Sequence, residues 1–93
     1  MCNYDLVEVL ANQAHDAWSG WMIYLFTKSV LNADKTVTIP AESVQRWKRQ
    51  LATPYHELPE TEKESDRQEA RKTLKALQTA ISEEETIERT YSD

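Results

Sequence analysis

Ninety-three residues, 40 % hydrophobic and 29 % charged, make one soluble globular domain and exclude a two-domain enzyme. One glycine and three prolines leave too little turn material for a sandwich, a barrel or a doubly wound dinucleotide fold, so a mainly α chain is expected. The net charge of −5 is uneven: residues 82–93 hold five acids and one base, which leaves the first 81 at −1, tolerant of a small anion but without the basic face that duplex DNA requires.

Elements follow in chain order. Residues 4–31 place Val7, Leu10, Ala14, Ala17, Trp18, Trp21, Met22 and Leu25 at steps of three and four, the pattern of one long amphipathic helix with Asn3 as its cap. Gly20 inside that helix costs ~1 kcal/mol against alanine, which calls for a close approach of backbone or ligand, a kink, or simple tolerance. From Trp21 to Phe26 the helix is apolar on nearly every side and needs a second burying face, which another copy of the chain supplies most simply. A homo-oligomer is therefore expected, with a dimer favoured; a core this small gains from a partner subunit.

Residues 32–35 read as a turn and 36–39 as a short extended connector. Pro40 opens a second, shorter helix through Leu51, with Val44, Trp47, Lys48 and Leu51 at helical spacing, and Thr53-Pro54 ends it. Pro59 opens a third helix to Ser82, whose inward stripe is read as Lys63, Arg67, Ala70, Leu74, Leu77 and Ile81. The organisation is thus a helical domain over residues 1–82 and a partly helical acidic tail over 83–93. No run approaches the ~20 apolar residues of a membrane span and no secretory leader precedes the first helix, so no membrane partner is expected. The lone Cys2 makes no internal disulfide, which suits the cytoplasm.

His15 and His56 form neither a His pair one turn apart nor a Glu-x-x-His, so no metal is expected. No nucleophile elbow or phosphate loop is present either; the chain reads as no enzyme and as needing no cofactor. What remains is aromatic and ionic. His15, Trp18 and Trp21 recur every third residue, Trp47 projects from the second helix, Tyr55 from the loop, and Lys63, Asp66 and Arg67 from the polar start of the third. Such a set offers a planar anion stacking faces, an arginine fork and an ammonium group. Tryptophans at helical spacing are more often core, and on spacing alone core packing is the favoured reading of Trp18 and Trp21.

Two stretches carry a resemblance. His15-x-x-Trp18, then Pro54-Tyr55-x-x-Leu58, then Glu62-Lys63-x-x-Asp66-Arg67, over residues 6–81, resembles the ryanodine-receptor repeat, or RyR, domain. The likeness is to small stand-alone versions from bacteria and their phages. It implies a compact helical module whose first and last helices pack together, with the motif residues converging near the loop before the last helix. It also implies sensing of nucleotide-derived ligands, as in nucleotide-signalling defence systems. His15, Trp18, Tyr55, Lys63, Asp66 and Arg67 match the motif; residues 36–51 depart from it. The expected function is non-enzymatic binding of a small nucleotide-derived ligand, such as a phage protein withholding a host immune signal. The alternative is a protein-interaction or assembly module using the aromatic surface and the acidic tail.

Overall fold

A computed structural model describes residues 3–91, with side-chain surroundings described for 5–83. The order is α1 (Asn3–Lys28), β1 (Val30–Leu31), β2 (Val37–Thr38), α2 (Ala41–Ala52), a single 3-10 turn at Tyr55–Glu57 and α3 (Glu60–Tyr91). The chain is mainly α, with two long helices, one shorter helix and a minimal two-stranded sheet. It divides into two compact units that both long helices enter: Met1–Ala17 with Asp66–Asp93, and Trp18–Ser65.

In the first unit, Val9 and Gln13 of α1 line a shallow groove with Lys72, Ala76 and Ala80 of α3. Ala80 is one of only two buried hydrophobic residues among those described. Of the stripe expected on α3, Lys63, Arg67 and Leu77 are half-buried, while Ala70, Leu74 and Ile81 are exposed and Ala76 and Ala80 take inward positions. The helix also runs on past Ser82 to Tyr91. The side chains of the tail acids from Glu84 onward, and the capping group of Asn3, lie outside the described residues.

The second unit is built on local signals. α1 ends at Lys28, short of the expected Leu31, because Ser29 closes it: its N–H bonds the Phe26 carbonyl at 3.2 Å and its hydroxyl the Leu25 carbonyl at 2.7 Å. Val30 and Leu31 are thereby released to pair antiparallel with Thr38 and Val37. The turn between them is specified by side chains. The Asn32 carbonyl accepts from the Lys35 N–H at 3.1 Å, Lys35 takes a left-handed φ of 74°, and Asn32 and Thr36 close the loop at 2.8 Å. That is a three-residue hairpin loop with a residue in the left-handed region at its end, where glycine is the unstrained choice. Asp34 accepts from both the amide and the hydroxyl of Thr36, and Asn32 Nδ2 donates to the hydroxyls of Thr36 and Thr38 at 3.0 Å each.

Prolines set the remaining boundaries. The Pro40 carbonyl takes the first helical bond of α2 from Val44. Thr53 ends α2 in extended geometry ahead of Pro54, its hydroxyl returning to the Arg49 carbonyl at 2.6 Å. Pro59 starts α3 by accepting from Glu62 and Lys63 at 3.0 Å each, with Glu60 and Glu62 at the positive end of the helix dipole. Leu58, between these turns, is the other buried hydrophobic.

Candidate functional site

The second unit gathers aromatic rings around Tyr24. Trp21, one turn earlier on α1, meets its ring edge-on, with centroids 6.2 Å apart and planes at 88°. Trp47 of α2 lies on it at 6.1 Å with the planes tilted by 55°. Both spacings are those of favourable aromatic pairs, worth ~0.5–1.5 kcal/mol beyond burial alone. Helical periodicity explains the first contact, since residues three apart are surface neighbours. The second exists because the hairpin and Pro40 bring α2 back to α1.

Two cations meet the same ring. Lys28, one turn beyond Tyr24, places Nζ 5.6 Å from the ring centroid, and the Arg46 guanidinium carbon lies at 6.0 Å. Arg46 Nη2 also donates a hydrogen bond to the Tyr24 hydroxyl. Neither cation is in an ion pair among the described residues, whereas neighbouring Arg49 is bound to Glu62 at the start of α3. The other oxygen of Glu62 is buried without a hydrogen-bond partner among the described residues.

Charge distribution favours the same place. Residues 18–65 hold six bases and six acids, so this unit is formally neutral and the whole −5 resides in the other. Within α2 alone three bases face one acid.

Of the eight residues expected from sequence to bind ligand, Trp21 and Trp47 join this cluster through Tyr24. Trp18, Tyr55 and Lys63 belong to the same unit. Trp18 and Tyr55 are 58 % and 48 % exposed, and Lys63 pairs with Glu60 at 3.5 Å. His15, Asp66 and Arg67 fall in the other unit, His15 exposed and the other two half-buried. Core packing of Trp18 and Trp21 is not what is found: Trp21 remains 42 % exposed and Trp18 more so. The reason is that half-buried Met22, Leu25 and Ser29 occupy the inward side of this part of α1. Gly20 is not explained by any close approach within the chain, because a Cβ there would meet nothing within 4 Å.

Sequence reasoning passed over Tyr24, Lys28 and Arg46. A signal was present in Trp21-x-x-Tyr24-x-x-x-Lys28, which aligns two rings and an ammonium group on one helix side, but the apolar run from Trp21 to Phe26 concealed which side mattered. Chemically the cluster offers ring faces and two cations. Among the described residues no group of three or more His, Cys, Asp or Glu gathers as a metal site would require, and no helix is long and apolar enough to cross a membrane.

No family model matches the chain, and no curated protein or solved structure matches it either.

Proposed function

We propose that the chain is a non-enzymatic binding module for a small nucleotide-derived anion, held at the Trp21, Tyr24, Trp47, Lys28 and Arg46 cluster. The observation that carries this reading is the convergence of two un-ion-paired cations on one tyrosine ring flanked by two tryptophans. A phosphate offers such cations the counterpart that no carboxylate supplies among the described residues, and a base offers the indoles a second flat face. The RyR resemblance leads to the same ligand class through Trp18, Tyr55, Lys63, His15, Asp66 and Arg67. Withdrawing a nucleotide signal in the cytoplasm of a bacterial host is a use that fits a module which binds such a molecule without converting it.

The test is quenching of tryptophan emission on titration with adenosine diphosphate ribose, a cyclic dinucleotide, ATP and pyrophosphate. Mass spectrometry of the recovered probe accompanies each titration. Saturable quenching with unchanged probe mass, weakened at least tenfold by Arg46→Gln, is expected. Equal binding by the variant, absence of quenching at millimolar probe, or a converted probe overturns the reading.

A further inference from the structure

The later part of α3 carries an apolar stripe that its own unit leaves open. Ala70, Leu74, Leu77 and Ile81 follow at steps of four, three and four on one continuous helix, which sets them along one side of it. Leu74 and Ile81 are 53 % and 41 % exposed, Ala70 is exposed and Leu77 half-buried. Val9 and Gln13 of α1 approach α3 beside Ala76 and Ala80, roughly 130° around the helix from Leu74 and Ile81, so the stripe lies to the side of that contact.

Charge along the same helix specifies what covers it. Residues 67–75 hold four bases, Arg67, Arg71, Lys72 and Lys75, against one acid, Glu69. Residues 76–82 are uncharged, and residues 83–88 hold four acids, Glu83, Glu84, Glu85 and Glu88, with no base. α3 runs unbroken through all three blocks. The basic block is centred on Arg71 and the acidic block near Glu85, ~21 Å apart along the axis, with Gln78 midway between them.

We infer that this stripe is covered by the same stripe of a second copy of the chain, the two α3 helices running antiparallel with their two-fold axis at Gln78. Reversing the helix about that position lays each basic block against the other copy's acidic block and brings Leu74 close to the level of Ile81. It also matches Arg71 with Glu85 of the second copy. Arg71, Gln78 and Glu85 stand seven apart, the spacing of a row that flanks a helix–helix seam, and opposite charges in such rows set helix orientation. Contacts across a two-fold axis are reciprocal, so the Arg71–Glu85 match occurs twice.

Other occupants satisfy half of this pattern. A parallel pair sets each block against its own like charges. A partner of one sign, whether an anionic surface or a basic protein, is attracted at one end of the stripe and repelled at the other. A second copy read in reverse carries both blocks at the required separation, because it carries the same sequence.

The experiment is light scattering with native mass spectrometry on the full chain, from about 1 to 200 µM so that mass action is visible. The wild type is expected to reach twice the 10.8 kDa chain mass. Arg71→Glu and Glu85→Arg are each expected to weaken the dimer at least tenfold, and the two together to restore it. Orientation is read separately in a Cys2→Ser background with a short bis-maleimide. Gln78→Cys is expected to cross-link to itself, whereas Gln68→Cys is not, since antiparallel copies hold position 68 ~30 Å apart. Where a reversal loses its helical circular dichroism, the cross-link decides. A wild type of single-chain mass throughout overturns the inference, as does a folded single reversal that dimerises like the wild type. A folded double reversal that stays single, or cross-linking at 68 rather than 78, overturns it equally. The ligand cluster lies in the other unit, so this inference and the ligand reading fail separately.

Discussion

Arg46 donates a hydrogen bond to the Tyr24 hydroxyl from 22 residues further along the chain, joining the middle of α2 to the last turns of α1. The contact fixes the guanidinium beside a ring that already carries Lys28 and two tryptophans. It makes the tyrosine both a strut and a guide for the arginine, and the two roles separate by mutation.

Tyr24→Phe keeps the ring and removes the acceptor. The expected loss of stability is about 1 kcal/mol, because the bond is solvent-exposed and its partners regain water. Arg46 is expected to remain near the ring, so nucleotide quenching weakens by less than it does in Arg46→Gln. Urea denaturation and the quenching titration, run on both variants, check this order.

Lys35 pays for its left-handed conformation with contact between its Cβ and its own backbone. Lys35→Gly relieves that strain, worth about 1 kcal/mol for an isolated residue. A higher melting temperature is expected, together with slower amide exchange at Asn32 and Thr36.

Gly20 faces open space on a helix of ordinary handedness. Gly20→Ala therefore gains helix propensity without a clash, and an increase of up to ~1 kcal/mol in unfolding free energy is expected. A decrease would show that another molecule approaches the backbone there.

Asp34 is held below the usual carboxylate range, first by the Thr36 hydroxyl and then by the Thr36 amide, both of which favour its charged form. A depressed folded pKa gives stability that is complete above the unfolded value and is lost as pH falls through the folded one. The Thr36 amide resonance is expected to move with a midpoint below the ordinary 3.8, and the hairpin to loosen only in that acidic window. Asp34→Asn should abolish this titration.

Removing Lys28 tests the cation pair from the other side. Lys28→Gln leaves the rings in place and is expected to weaken nucleotide binding while preserving helical circular dichroism and steepness of unfolding. It should also flatten the salt dependence of binding, since one fewer charge contacts the anion. Isothermal titration at two ionic strengths measures both effects.

The sequence by itself determined the helices, and did so wherever the signal was local. Pro40, Pro54 and Pro59 act within one turn of themselves, through a fixed φ and a missing N–H, and both ends of α2 and the start of α3 fall beside one of them. Spacing likewise put Trp21 and Trp47 among the candidate binding residues. The release of Val30 and Leu31 from α1 is local as well, set by the Ser29 bonds that close the helix and by the Asn32, Asp34 and Thr36 turn, although spacing alone ran the helix on to Leu31. Tertiary structure alone decided two things. Ala76 and Ala80 lie inward beside the expected Leu77 while Leu74 and Ile81 are exposed, a boundary of the inward stripe that helical periodicity does not define to better than one residue. Tyr24 became the centre of the cluster because Arg46 and Trp47 reach it from another helix, and no pattern within α1 encodes what a distant segment will place against it.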